Sequence, residues 1–147
     1  MLNFKILEKN NTLTVRFKGK KYVSNFRHVS TREVFVFDDF VVKFDKFEGQ
    51  NDRERLFYSN VSDTDKQFFP KFLGFGIYQN QSVIVQEKIT GKEKVRIEDA
   101  DAFEKTVMTL KKKYSINDLQ FYRDKHWFMF NNAYMTDKGF KIFDVGC

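Results

Sequence analysis

Apolar and polar positions alternate with a period of two through much of residues 1–90, which is the pattern of half-buried strands. Three pairs of alternating runs are separated by short polar stretches, at Asn10-Asn11, Asp38-Asp39 and Gln79-Asn80-Gln81. A short polar turn between two such runs is typical of a β-hairpin. We therefore predict three hairpins in this part of the chain.

Two further segments have the spacing of helices. In residues 49–61 the sequence GQNDRERLFYSNV follows a helical period, and Asn51 or Asp52 is placed to cap the first turn. In residues 98–114 apolar side chains recur at helical intervals, with acids early and lysines late, as the helix dipole favours. We predict one short helix and one long helix.

Short aromatic strands follow the long helix. HWFMF or NAYMT is followed by GFKIFDV, which predicts a last hairpin. The predicted order is hairpin, hairpin, helix, hairpin, long helix, hairpin, and it indicates an α+β fold with an antiparallel sheet. A chain of 147 residues fits one domain, with the sheet and short helix in residues 1–90 and a smaller part in residues 91–147.

Composition narrows the class of protein. Phenylalanine occurs 19 times while leucine and alanine are few, so phenylalanine must fill much of the core. There are 26 Lys and Arg against 20 Asp and Glu, a net charge of +6, which is compatible with nucleotide phosphates, nucleic acid or an acidic partner. Because such a surplus often serves solubility alone, we do not expect a nucleic-acid partner.

Cysteine content and hydropathy exclude other classes. The single cysteine, Cys147, excludes an internal disulfide framework and a Cys-rich zinc site. No apolar run is long enough to span a bilayer, and the start MLNFKILEKN lacks the form of a signal peptide. We expect a cytoplasmic protein without a membrane partner.

Five segments carry candidate chemistry, and their order matters more than any one of them. They are FVVKFD with Lys43, NDRERLFY with Glu54, VIVQEKITG, YRD with Asp124 and FDVG with Asp144. The ordered set resembles the protein-kinase-like fold. There a lysine lies on the third strand of a sheet, a glutamate lies on the next helix, and H-R-D and D-F-G motifs follow.

This resemblance implies a nucleotide site in the first part of the chain. Lys43 would neutralise phosphate oxygens, and Glu54 would hold its ammonium in place by an ion pair. VIVQEKITG is similar to the fifth strand and hinge of kinases, where backbone groups of Gln86, Glu87 and Lys88 would bond the adenine edge. The implied cofactors are ATP and Mg²⁺.

The resemblance places the catalytic and metal-binding residues in the second part. YRD is similar to H-R-D with Tyr for His, so Asp124 would orient or deprotonate the attacking hydroxyl. Asn131 or Asn132, with Asp144, would hold Mg²⁺ through oxygen ligands. The asparagines lie farther from Asp124 than in the kinase pattern, and Asp118 in NDLQ is an alternative catalytic carboxylate.

One departure concerns the loop that covers the phosphates in kinases. Kinases use a glycine-rich loop there, whereas the matching segment, FRHVSTREVFVF, has no glycine. Side chains would have to replace the backbone as phosphate ligands. The candidates are Arg27, His28, Ser30, Thr31 and Arg32.

A second departure is that the sequence stops at Cys147, where a full kinase continues with an activation segment and a helical lobe. We expect a minimal or degenerate kinase-like protein that binds ATP, Mg²⁺ and a protein partner, or self-associates through the uncovered face. One alternative is an active ATP-dependent phosphotransferase of Ser/Thr type. The other is a basic nucleic-acid-binding α+β protein; Trp127, Phe128 and Phe130 could stack on bases, although such aromatics are more often core.

Overall fold

The computed structural model describes residues 3–46, 49–117 and 119–143. Within these residues every paired strand is antiparallel, so the predicted α+β class is confirmed. The strands are β1 (Phe4–Lys9), β2 (Leu13–Phe17), β3 (Lys20–Val23), β4 (Phe26–Val29), β5 (Arg32–Val36), β6 (Phe40–Asp45), β7 (Phe72–Tyr78), β8 (Gln81–Glu87), β9 (Lys94–Arg96), β10 (Phe121–Arg123), β11 (Trp127–Phe130), β12 (Ala133–Thr136) and β13 (Gly139–Ile142). The α-helices are α1 (Gln50–Asn60) and α2 (Ala100–Tyr114).

The chain divides into two compact units. The first comprises residues 1–55 and 71–88, and the second comprises residues 56–70 and 89–147. The first unit contains the sheet β1-β2-β3 and a five-stranded sheet of order β4-β5-β6-β8-β7. The second contains the sheet β10-β11-β9 and the pair β12-β13. Because β6 is the middle strand of five, side chains on both of its faces are available for burial.

Phenylalanine fills the core of the first unit, as the composition predicts. The rings of Phe35 and Phe44 meet edge to face at 5.7 Å between centroids, and those of Phe37 and Phe40 stack at 4.4 Å. These arrangements are the favoured ones for aromatic pairs. The alternation of β5 and β6 therefore places Phe35, Phe40 and Phe44 on one shared face.

All three predicted hairpins of the first unit are present, as β1-β2, β5-β6 and β7-β8. In the last of them Gln79 and Asn80 have φ of 47° and 67°. Two successive positive φ angles match the right-handed twist of the flanking strands in a two-residue turn. The strands β3, β4, β9 and β10 were not predicted, because three or four residues are too few to establish alternation.

The predicted cap of α1 is wrong. The helix begins at Gln50, so Asn51 and Asp52 lie inside its first turn. The carboxylate of Asp45, at the end of β6, instead accepts the backbone N–H of Asn51, at 3.0 and 3.1 Å from its two oxygens. That N–H is one of the donors that a helix start leaves without an intrahelical acceptor. The strand thus supplies the cap, and the Asn51 side chain serves elsewhere.

The long helix α2 ends where the sequence predicts but begins slightly later. Residues Ile97–Asp99 form a 3₁₀ turn and Ala100–Tyr114 the α-helix, against the predicted 98–114. Ser115 ends the helix in the left-handed region with φ of 54°. The buried face of α2 packs into the core of the second unit, which includes Val107, Leu110, Leu119, Phe128, Phe130, Phe140 and Ile142.

A polar contact fastens α2 to the 3₁₀-helix Asp65–Phe68. The Tyr114 hydroxyl donates to Asp65 Oδ2 at 2.5 Å, and Lys113 Nζ lies 2.7 Å from the same oxygen. The Asp65 side chain is only 16% exposed. The bonds from Lys113 and Tyr114 lower the pKa of Asp65 to about 2.

We expect Asp65→Asn to remove a pH-dependent part of the stability. Since the folded pKa lies below the unfolded one, the carboxylate stabilises the fold above its unfolded pKa, and this contribution is lost as the pH falls through about 2. The difference in unfolding free energy between wild type and variant should therefore shrink between roughly pH 5 and pH 2. Urea unfolding across that range measures it. Asp63→Asn, with a side chain 97% exposed, is the control; a wild-type advantage that does not vary with pH would contradict the prediction.

Candidate functional site

A buried cluster of ionised side chains lies between β5, β6 and α1. Lys43 Nζ is 3.0 Å from Glu54 Oε1, and the Arg32 guanidinium pairs with Glu54 Oε2. Glu54 is fully buried, Arg32 is 2% exposed and Lys43 is 6% exposed. One carboxylate therefore holds two cations, one through each of its oxygens.

Strand alternation explains why Lys43 points into this cluster. On β6 the neighbouring residues Val42 and Phe44 belong to the aromatic core of the first unit. Successive side chains of a strand point to opposite faces, so Lys43 faces away from that core. In the register, Lys43 pairs with Val34 on β5, and Arg32 lies two residues before Val34 on the same face. The two cations are thus diagonal neighbours on one side of the sheet.

The cluster is electrostatically coupled. Burial raises the pKa of Glu54, but the charges of Lys43 and Arg32 and their hydrogen bonds outweigh this, and the pKa lies below its usual range. Glu54 is therefore ionised at neutral pH. An ionised carboxylate at 3.0 Å fixes the position of the Lys43 ammonium.

Asn51 ties the same elements together through its amide. Its Nδ2 donates to the carbonyl oxygens of Lys43 at 3.0 Å and Ser82 at 2.9 Å, and its Oδ1 accepts from Arg32 at 3.1 Å. The side chain is fully buried. It connects α1 to β6 and β8 and braces the backbone that carries Lys43.

The segment expected to contact phosphate is occupied by ion pairs. Arg32 is 2% exposed and pairs with Glu54 where the sheet meets α1, so its candidate role as a phosphate ligand stays a prediction. Arg27 Nε lies 2.6 Å from one oxygen of Glu33, and Lys9 Nζ lies 2.8 Å from the other. Burial raises the pKa of Glu33, but its bonds to Lys9 and Arg27 outweigh this and lower it. His28, Ser30 and Thr31 remain exposed at the β4-β5 hairpin.

The predicted adenine-contacting segment lies at the end of β8. Gln86 is 2% exposed. The Glu87 N–H donates to the Lys71 carbonyl at 2.9 Å, and the Lys71 N–H donates to Glu87 Oε1 at 2.8 Å. The Lys88 N–H donates to the Asp39 carbonyl at 3.0 Å. The N–H groups of Glu87 and Lys88 therefore already have acceptors within the first unit.

The predicted catalytic carboxylate lies in the second unit, at a tight turn between β10 and β11. Asp124 Oδ1 accepts the backbone N–H groups of His126 and Trp127, each at 2.7 Å. The bond from His126, followed by that from Trp127, lowers the pKa of Asp124. Its neighbour Arg123 pairs with Glu104 on α2, with Asp101 at 3.7 Å.

The predicted metal ligands are only partly described. Asn131 Oδ1 accepts the Gln120 N–H at 2.6 Å, so this oxygen supports the chain before β10. Asn132 has a φ of 53°, and its carbonyl accepts the Phe143 N–H at 3.0 Å. Asp144, the third predicted metal ligand, lies outside the described residues, and so does Asp118, the alternative to Asp124 as catalytic carboxylate.

Neither a metal-binding cluster nor a membrane-spanning helix occurs in the described part of the chain. In residues 3–46, 49–117 and 119–143, no three His, Cys, Asp or Glu side chains lie close enough together to hold a metal ion. No helix in the same ranges is long and apolar enough to cross a membrane.

No protein-family model matches the sequence, and no curated protein matches it significantly. A solved structure of the bifunctional kinase-methyltransferase WbdD matches with a TM-score of 0.51 at 12% identity, over 97% of this chain and 41% of that one. The fold therefore resembles that of a part of the WbdD chain. A second structure, WbdD with a kinase inhibitor, matches with a TM-score of 0.49 at 13% identity, over 97% of this chain and 40% of that one. The chain thus spans about two-fifths of the WbdD chain, and at this identity the likeness concerns the fold.

Two of the predicted site residues lie on consecutive elements of the first unit. Lys43 lies on the third strand of the five-stranded sheet in chain order, and Glu54 lies on the helix that follows. The pairing of Arg32 with Glu54 and the bracing role of Asn51 were not predicted from the sequence. In the run FRHVSTRE, Arg32 occupies an alternating position of a strand. The face of the sheet to which it points depends on the register with the neighbouring strand, which the sequence alone does not give.

Proposed function

We propose that this protein is a kinase-like module that binds ATP with Mg²⁺ through Lys43 and transfers phosphate poorly or not at all. The observation that carries the proposal is the buried ion pair between Lys43 and Glu54. It joins the third strand of the sheet to the following helix, the arrangement that kinases use to place a lysine against nucleotide phosphates.

The chemistry of the pair fits a phosphate ligand. A lysine ammonium held by a carboxylate has lost much of its conformational freedom before a ligand arrives. A fixed cation in a site with little water attracts phosphate oxygens more strongly than a solvated one. The Arg32 guanidinium holds the other oxygen of Glu54, so Glu54 stays in place when Lys43 also contacts a phosphate.

The surroundings of Asp124 support weak transfer. A general base works best when its pKa is near the ambient pH. The backbone N–H groups of His126 and Trp127, each at 2.7 Å, lower the pKa of Asp124 and so move it away from neutral pH. These bonds close an exposed turn, so the Asp124 carboxylate has a structural role. We infer that the protein binds nucleotide but transfers its phosphate poorly.

Magnesium enters the proposal only as the ion that accompanies the nucleotide. The Asn131 amide oxygen already accepts a backbone N–H at 2.6 Å, which leaves it one lone pair for a metal ion. Mg²⁺ keeps several waters and binds through few protein oxygens together with phosphates. Asp144 and Asn132 are the residues we propose to complete such a set.

We expect ATP with Mg²⁺ to stabilise the wild-type protein against unfolding and Lys43→Met to abolish about half of this effect or more. A ligand at one hundred times its dissociation constant adds about 2.7 kcal/mol to the unfolding free energy. Loss of the ammonium should weaken binding at least about tenfold, equivalent to about 1.4 kcal/mol. Chemical unfolding with and without the nucleotide measures both quantities.

Lys20→Met is the matched control, since Lys20 is an exposed lysine of the same unit. It should leave the nucleotide effect unchanged. Absence of any stabilisation of wild type at millimolar ATP and Mg²⁺ would contradict the proposal, as would equal stabilisation of Lys43→Met. Rapid phosphate transfer to a test protein, lost in Asp124→Asn, would instead establish the active phosphotransferase.

A further inference from the structure

The sheet β10-β11-β9 has two chemically different faces. The register pairs Tyr122 with Met129 and Met129 with Lys94, and it pairs Trp127 with Arg96. Directly paired residues, and alternate residues along a strand, share a face. These five side chains therefore lie on one side of the sheet.

The other side belongs to the core. Phe128 is fully buried and Phe130 is 4% exposed, and both pack with the apolar residues of α2 and β13. The Phe121 ring stacks on Phe128 at 5.4 Å. The core thus uses Phe128 and Phe130, whereas Trp127 points the opposite way.

The outer face combines open aromatic surface with a groove. Tyr122 is 55% exposed, and Trp127 and Met129 are half-buried. Together with Lys92 and Lys94 they line a groove of about 650 Å³. This volume lies within the range of roughly 300–1,000 Å³ that ligand sites occupy.

Cations surround the tryptophan ring. Lys94 Nζ lies 4.3 Å and the Arg96 guanidinium 5.0 Å from the Trp127 ring. Lys92 continues the alternation of β9 and lines the same groove, where Glu93 is the acidic residue. A ligand here meets flat rings next to several positive charges.

We propose that this face binds single-stranded nucleic acid. Bases would stack on Trp127 and Tyr122, and phosphates would pair with Lys92, Lys94 and Arg96. Stacking needs exposed base faces, which a duplex hides, and it accepts any base. An acidic peptide would satisfy the cations but not the rings. The sequence-based expectation that nucleic acid is not a partner rested on overall charge, which does not reveal this face.

The chain reports on the site by itself, because Trp127 is its single tryptophan. Titration with a fifteen-nucleotide oligo(dT) or oligo(U) should quench its fluorescence. Three neutralised phosphates predict that log K falls with log salt with a slope of about −2, since each contributes roughly −0.7 on single strands. A duplex of the same length should bind markedly more weakly.

Charge reversal tests the cations against a matched control. In fluorescence anisotropy with a labelled oligonucleotide, Lys94→Glu combined with Arg96→Glu should weaken binding at least about tenfold and reduce the salt slope. Lys105→Glu with Lys112→Glu changes the net charge equally at exposed positions of α2 and should have a much smaller effect. Trp127→Leu should also lose about tenfold or more, while Trp127→Phe keeps most of the affinity.

Equal weakening by the two charge-reversed pairs would overturn the proposal, since it would show that net charge alone attracts the oligonucleotide. Unchanged Trp127 fluorescence at low salt, or equal affinity for duplex, would overturn it as well. Tight binding of polyglutamate without oligonucleotide binding would identify the face as a site for an acidic protein. Far-UV circular dichroism of each variant verifies that affinity is compared between folded proteins.

Discussion

Glu54→Ala is expected to cost about 3–5 kcal/mol of unfolding free energy, the largest effect of any single substitution considered for this protein. The carboxylate is fully buried and is shared by Lys43 and Arg32. Its removal leaves two buried cations without the charge that they share, and a buried charge that loses its partner is far more costly than an exposed one. This is a large part of the roughly 5–15 kcal/mol that stabilises a typical domain.

Urea unfolding of the variant and wild type measures this loss. Asp52→Ala is the control, since Asp52 is an exposed acid in the first turn of the same helix and should change the free energy by less than about 0.5 kcal/mol. Glu54→Gln keeps the volume and removes the charge, so it separates the ionic contribution from packing. An unfolding midpoint for Glu54→Ala equal to that of Asp52→Ala would refute the view that this cluster organises the first unit.

The sequence predicts the strand that carries Lys43 and the helix that carries Glu54, but it does not predict that Arg32 joins them. The alternation in FVVKFD and the helical spacing after it place a lysine on a strand and a glutamate on the following helix. Arg32 could not be placed in the same way, because its face depends on the register between β5 and β6. A register shift of one residue would turn it to the opposite face.

The second unit shows the same limit for aromatic residues. WFMF reads as one apolar run, yet the structure separates Phe128 and Phe130 from Trp127 and Met129. Which set is buried depends on where α2 packs, and that is a tertiary property. Asp124 lies in a motif that predicts a catalytic role. Its carboxylate, however, accepts the backbone N–H groups of His126 and Trp127, which is the hydrogen bonding of an Asp in a turn.

Asn51→Leu is expected to cost about 3 kcal/mol, because leucine keeps the side-chain volume and removes three hydrogen bonds. Two of these bonds go to the carbonyl oxygens of Lys43 and Ser82, and the third joins the Arg32 guanidinium. Bonds to neutral groups contribute roughly 0.5–1.5 kcal/mol each and those to charged groups about 1.5–3. Thermal or urea unfolding measures the sum.

Asn60→Leu provides the comparison on the same helix, since Asn60 is exposed and its amide donates to the Leu56 carbonyl one turn earlier. Because Asn51 braces the backbone of Lys43, its loss should weaken ATP binding as well as stability, whereas Asn60→Leu should leave both nearly unchanged. A destabilised Asn51→Leu protein that binds ATP with wild-type affinity would show that Lys43 is positioned by Glu54 alone. The amide would then hold α1 against the sheet without any part in orienting the ammonium.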